Sequence, residues 1–194
     1  MAKKPKYQFK PDKKQSTLLK RLYMTRLQRL QILKWVLLSA ACILMLIVQD
    51  VIMSRIHWGG ATTDLAVCMI LLISLYEGTE QGSLFALIAS LVYLFSGSSP
   101  GPACIGLITS LTIGISLLRQ NFWRRSTGSI LLCAGVAVMA YEMGIFVVGL
   151  LSGLTIFVRW SVFLLTGAFS CVMLLPMYPL VRTISKIGGD TWKE

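Results

Sequence analysis

The chain has 194 residues, of which 55% are hydrophobic and only 14% are charged. A soluble domain carries about 25% charged residues, so this composition excludes an ordinary soluble protein and predicts one that lies in a lipid bilayer. A formal net charge of +11 would suit a nucleic-acid partner. Because the cations flank apolar runs and nothing resembles a base-reading module, we expect no nucleic acid to bind.

The 19 Lys and Arg residues are unevenly distributed. Eleven of them, from Lys3 to Lys34, precede the first long apolar run, and six more lie in alternate later gaps. Since cations are retained on the cytoplasmic side during membrane insertion, this pattern predicts an all-α polytopic membrane protein with six transmembrane helices and both termini cytoplasmic. That topology places 17 of the 19 cations inside.

Residues 1–30 form a basic N-terminal segment with two parts. The first 15 residues are rich in Lys and contain two prolines, which predicts disorder, and the remainder has the spacing of a basic amphipathic helix. Attraction to anionic lipid is the simplest use for this charge. A docking helix for a cytoplasmic partner is the alternative.

Six apolar stretches follow, so residues 31–184 form the predicted transmembrane domain and residues 185–194 a short cytoplasmic tail. Thr62, Thr63 and Asp64 can cap the second helix. Pro176 and Pro179, near the inner end of the sixth span, are predicted to kink or terminate it. The predicted spans are approximately 32–52, 62–76, 83–95, 102–118, 127–151 and 156–184.

Two ionisable residues lie clearly within the spans, Glu142 in the fifth and Arg159 in the sixth. Since charge inside a membrane is costly, we predict an ion pair between them that fixes the two helices. Contact with a ligand or partner, and extension of Arg159 alone toward the surface, are the alternatives.

Residues that would support catalysis or cofactor binding do not form any known pattern. The sequence has one histidine, no nucleophile motif and no phosphate-binding loop, and its five cysteines lie in five different apolar stretches. We therefore expect no enzyme activity, no metal site and no cofactor.

Several short motifs follow one another along the spans in a recognisable order. They are Thr63-Asp64-Leu65, Glu77-Gly78, Gly82, Tyr93-Leu94-Phe95-Ser96-Gly97, Pro100-Gly101, Glu142, Arg159, and Pro176-Met177-Tyr178-Pro179-Leu180-Val181-Arg182. In this order, over roughly residues 32–187, the chain resembles the MreD family of rod shape-determining membrane proteins. It departs from the family pattern at Thr63, where proline is usual, and at Tyr93, where aspartate is frequent.

The resemblance implies a non-enzymatic scaffold of the cell-elongation machinery in the bacterial inner membrane. Its expected partner is an MreC-like bitopic protein, and through it MreB, RodA and a class B penicillin-binding protein. Small residues permit close helix contact, so Gly135, Ala140 and Gly144 in span five, or the short spans two and three, are the expected docking face.

A second interpretation comes from another class of protein. Six-helix chains of this kind are also similar to the substrate-binding subunits of energy-coupling-factor vitamin transporters. Such a subunit would have a pocket that opens outward between the turn at residues 98–102 and the outer ends of spans five and six. A neighbouring MreC-like reading frame would favour the scaffold, and a neighbouring pair of ATPases would favour uptake.

Overall fold

A computed structural model describes residues 26–52, 55, 60–122 and 127–188. In this part of the chain the structure is helical and contains no β-strand, which confirms the predicted all-α class. Most of the N-terminal segment and the last six residues of the tail lie outside the described residues. The described residues form six α-helices: α1 (Arg26–Val51), α2 (Leu65–Glu77), α3 (Thr79–Phe95), α4 (Ala103–Phe122), α5 (Thr127–Leu151) and α6 (Trp160–Ser185). Short 3-10 helices lie at Phe157–Arg159 and Lys186–Gly188.

The helix boundaries follow the predicted spans closely. Helix α5 coincides with the prediction, because its apolar run is bounded by Arg124 and Arg125 before it and by Ser152 and Gly153 after it. Helix α1 is described from Arg26 rather than from near residue 32, so residues 26–30, the described part of the predicted amphipathic segment, continue into the first span as one helix. Helix α6 begins at Trp160, after a short 3-10 turn, rather than at residue 156.

Helix α2 is the centre of the bundle. It contacts each of the other five helices, and its residues from Leu65 to Ile73 are at most 4% exposed. A helix that is apolar on every face is buried on every face, which explains this position. Its 13 residues span about 20 Å, less than a hydrocarbon core of about 30 Å. Because protein surrounds it, α2 does not need to match the bilayer thickness.

The outer surface of the bundle is apolar. Large hydrophobic side chains such as Val36 on α1, Leu84 on α3 and Val172 on α6 are 58%, 63% and 59% exposed. Soluble monomers rarely expose extended apolar surface of this kind. Three helices are long and apolar enough to cross a membrane, over residues 28–51, 127–151 and 157–185. The fold is therefore compatible with a membrane-embedded protein.

A tight helical hairpin joins α2 to α3. Gly78 is the single residue between them and has a φ of 96°, a conformation that glycine adopts at little cost. One turn later, a Cβ atom on Gly82 would lie only 2.0 Å from the Ser74 carbonyl oxygen. The two helices therefore pack with their backbones in direct contact at this point.

The two prolines of α6 do not terminate it. The helix continues through Pro176 and Pro179 to Ser185, so of the two predicted effects, a kink or an end of the span, the end is excluded. Buried neighbours on the same helix, Met177 and Val181, hold this part of α6 against the core. Within a helical bundle, packing and local adjustment compensate for the hydrogen bond that each proline cannot donate.

Candidate functional site

A buried ion pair closes the end of the bundle at which α1 begins and α2 ends. The Lys34 ammonium lies 2.5 Å from a Glu77 carboxylate oxygen, and both side chains are 2% exposed. The Ser185 hydroxyl donates to the second Glu77 oxygen at 2.8 Å. The contacts join α1, α2 and α6. Sequence reasoning placed Lys34 and Glu77 on the same side of the membrane but did not pair them.

A second polar network surrounds the start of α2, at the opposite end of the bundle. Asp64 is the N-cap of α2, as predicted, and its side chain accepts a hydrogen bond from the Val67 amide at 3.4 Å. Its other carboxylate oxygen accepts from the Tyr93 hydroxyl at 2.9 Å. The Asp64 amide donates to the Ser170 hydroxyl at 3.0 Å. Asp64 therefore links α2 to both α3 and α6.

A polar cavity of about 340 Å³ opens beyond this network. It exists because α2 has 13 residues whereas α1, α5 and α6 have 25 or 26, so the longer helices enclose space beyond its N-terminus. Four candidates from the sequence share this cavity, although they come from four separate elements. They are Asp64, Tyr93, Glu142 and Arg159, joined by Gln49, Ser98, Tyr141, Thr155 and Thr166.

Glu142 and Arg159 line the same cavity without forming the predicted ion pair. Among the described residues, Lys34 and Glu77 form an ion pair within 4.0 Å, whereas Glu142 and Arg159 do not. Arg159 lies in the 3-10 turn before α6 and is exposed, whereas Glu142 is only 5% exposed. Nine residues separate Glu142 from the end of α5, about 14 Å along the helix. The prediction of direct pairing is therefore wrong because Arg159 lies at the rim rather than within a helix.

Several residues that line the cavity have buried hydroxyl groups without a hydrogen-bond partner among the described residues. The hydroxyls of Thr63, Tyr141 and Thr155 are buried and form no hydrogen bond with the described residues. All three residues line the cavity. Native interiors leave few buried polar groups unpaired, so a group of three at one cavity needs an explanation. Sequence reasoning had one available signal, the position of Tyr141 beside Glu142.

The small-residue face of α5 is used inside the bundle. A Cβ atom on Gly144 would lie 3.0 Å from the Leu107 side chain of α4, and one on Gly135 would lie 3.7 Å from the Cys171 sulfur of α6. Ala140 lies between them and is half-buried. Gly144 and Gly135 therefore pack against α4 and α6, so this part of the predicted docking face is used within the chain.

An apolar groove of about 510 Å³ lies between α1 and α3 on the outside of the bundle. The two helices have little direct contact. At the groove, the ring centroids of Trp35 and Phe85 lie 5.8 Å apart. Cys42 and Ala89 are nearly buried there, whereas the large side chains beside them are exposed. The exposed lining includes Ile43, Leu84, Ile88 and Val92.

Comparison of the chain with protein-family models, with curated proteins and with solved structures finds no match. A function for this molecule is therefore argued from the geometry above and from the motifs in its sequence.

Proposed function

We propose that this chain is a non-enzymatic scaffold of the bacterial cell-elongation machinery, related to the MreD family. The observation that carries the proposal is where the resembling motifs lie. Asp64 caps one end of the central helix and Glu77 anchors its other end. Gly82 allows the hairpin to close, and Tyr93 bonds to Asp64. Motifs that are weak singly thus cooperate to hold α2, as expected of a shared fold.

In this proposal the chain spans the bacterial inner membrane six times, with both termini in the cytoplasm. The support is the distribution of charge: 17 of the 19 cations fall on one side when the helices alternate in direction. The contacts fit this alternation, since Lys34 near the start of α1 meets Glu77 at the end of α2. Anionic lipid is the expected partner of the basic N-terminal segment.

The groove between α1 and α3 is the proposed docking site for the single transmembrane helix of an MreC-like protein. Its lining is apolar with nearly buried small residues, Cys42 and Ala89, where a partner helix can approach closely. The face of α5 is already occupied, so the groove replaces it as the docking surface. MreB, RodA and a class B penicillin-binding protein would be reached through this partner.

Co-purification with the MreC-like partner tests the scaffold proposal. Ser39 is exposed and lines the groove, so Ser39→Phe should fill it and lower the recovered partner about tenfold, for a loss of about 1.4 kcal/mol. Ala40 is also exposed on α1 but does not line the groove, so Ala40→Phe is the matched control. Equal recovery with both variants would reject the groove, and no recovery with the unaltered chain would reject the scaffold.

A second candidate function is the substrate-binding subunit of an energy-coupling-factor vitamin transporter. The observation that favours it is the cavity, which lies between the turn at residues 98–102 and the outer ends of α5 and α6. Polar side chains line this cavity, among them Asp64, Glu142 and Arg159. Co-purification with a coupling subunit and two ATPases, in place of an MreC-like protein, would favour this function.

A further inference from the structure

The cavity contains polar groups that the fold itself does not use. The Tyr141 side chain is 1% exposed, and its hydroxyl forms no hydrogen bond with the described residues. Glu142, the next residue, is 5% exposed and has no ion-pair partner within 4.0 Å in the same part of the chain. A carboxylate buried without a partner is costly, and so is an unpaired buried hydroxyl. Both residues line the cavity.

Charge is arranged along the depth of the cavity. Two carboxyl groups, those of Asp64 and Glu142, line it, and Asp64 already accepts hydrogen bonds from Tyr93 and from its own helix. Of these two carboxyl groups, that of Glu142 therefore remains available to accept hydrogen bonds from a ligand. Arg159 lies at the rim, exposed and with its guanidinium unpaired within the described residues. The interior thus favours a cation with several N–H donors, and the rim favours an anion.

We infer that this cavity binds a small zwitterion whose primary ammonium meets Glu142 and Tyr141 and whose phosphate or carboxylate meets Arg159. A primary ammonium has three donors, which suits the Glu142 carboxylate and the hydroxyl of the neighbouring residue, Tyr141. Phosphate and carboxylate are the groups that an arginine fork recognises best. A volume of about 340 Å³ is at the lower end of ligand sites, so the ligand has the size of a metabolite or a lipid headgroup.

The inference does not depend on the scaffold function, because it rests on the cavity and not on the groove. The same chemistry is present in a free metabolite and in the headgroup of an aminophospholipid. A free metabolite would enter from the aqueous side, whereas a headgroup would remain attached to the bilayer. The test therefore uses both forms.

The experiment measures ligand binding to the full chain in nanodiscs of phosphatidylglycerol, after lipid exchange checked by mass spectrometry. O-phosphoethanolamine is titrated in one arm, and phosphatidylethanolamine is included in the nanodisc in the other. Phosphocholine, which has no N–H donor, and glycerol phosphate, which has no ammonium, are the matched probes. We expect a shift in melting temperature from at least one ethanolamine form and a response at least about tenfold weaker from both matched probes.

Three substitutions test the assigned contacts. Glu142→Gln and Tyr141→Phe keep the side-chain volume and should weaken the ethanolamine response about tenfold or more, and Arg159→Gln should weaken it similarly. Tyr178→Phe and Arg182→Gln, at the other end of α6 and outside the cavity, should leave it unchanged.

The outcomes are separable from those of the partner experiment. A response to the lipid form alone identifies a headgroup, a response to the free form alone identifies a metabolite, and either supports the inference. No response to either form would overturn it. An equal response to phosphocholine, or an unchanged response in folded Glu142→Gln and Tyr141→Phe variants, would also overturn it. Loss of the MreC-like partner without loss of this response would reject only the scaffold.

Discussion

At the scale of single residues, the two ends of the bundle treat buried charge differently. Lys34 and Glu77 are paired, and Ser185 satisfies the remaining carboxylate oxygen. Glu142, by contrast, is buried beside open space. A buried charge that is paired and fully hydrogen-bonded links structural elements, whereas an unpaired buried charge beside a cavity is typical of a ligand-binding site. The first end therefore holds the helices together and the second leaves a site open.

Removing half of the Lys34–Glu77 pair should harm the protein more than removing both charges. Either Lys34→Met or Glu77→Gln alone leaves one buried group unpaired and should cost about 3 kcal/mol or more. The double variant should be more stable than either single one. Thermal unfolding in detergent measures all four proteins, with Lys186→Met as an exposed control. Additive losses would mean that the pair does not form.

Glu142 and Arg159 should behave in the opposite way when no ligand is added. Because they form no ion pair, the effects of Glu142→Gln and Arg159→Gln on stability should add to within about 0.5 kcal/mol. The same unfolding measurement serves for this double-mutant cycle, and the Lys34–Glu77 cycle is its positive control. A coupling above about 1 kcal/mol would show that the two side chains meet after all.

Sequence reasoning could select these residues but not arrange them. Asp64, Tyr93, Glu142 and Arg159 were recognisable as polar groups within or beside apolar spans, and the cap at Asp64 followed from local chemistry. Their meeting at one cavity depends on which helices are neighbours, and no local pattern encodes this. The Lys34–Glu77 pair, 43 residues apart, was missed for the same reason.

At the scale of helices, glycine decides how closely neighbouring elements pack. Gly82 and Gly106 are both helical, but only Gly82 lies against another backbone. Gly82→Ala should force α2 and α3 apart and cost about 1–3 kcal/mol, since a Cβ would lie 2.0 Å from the Ser74 carbonyl oxygen.

Gly106→Ala is the control for that prediction, because nothing lies within 4 Å of its Cβ position. It should be neutral or stabilising by up to about 1 kcal/mol from helix propensity. Unfolding of the two purified variants in detergent measures both effects. Equal stability of the two would mean that the α2–α3 hairpin is looser than the structure indicates.

Helix boundaries were the best-predicted feature of this chain. Long apolar runs separated by glycine, proline and charge give strong signals, so the predicted fifth span and α5 coincide. Pro176 and Pro179 do not end α6 because local propensity is overruled where packing is strong, as at buried Met177 and Val181. The small residues of α5 indicated close packing correctly, but sequence alone does not say whether the neighbour is the same chain or another.

At the scale of the whole molecule, charge sets the proposed orientation. Single cysteines at Ser126, in the connection between α4 and α5, and at Ser152, after α5, should label oppositely in a chain without its five native cysteines. An impermeant external reagent should modify the cysteine at 152 and spare the one at 126, because the cations retained inside flank residue 126. Permeabilised cells provide the control for reactivity. Labelling at residue 126 in intact cells would show that the chain has the opposite orientation in the membrane.

The central position of α2 also means that its contacts are completed late during synthesis of the chain. Ser185, which closes the Glu77 end of the bundle, is translated 108 residues after Glu77. At about 5–20 residues per second, this interval lasts roughly 5–20 s. In the proposed six-span topology, a helix of about 20 Å lies during that time in a bilayer of about 30 Å without the α5 and α6 surfaces that later cover it. For that topology we expect α2 to stay beside the insertion machinery until α6 has been made.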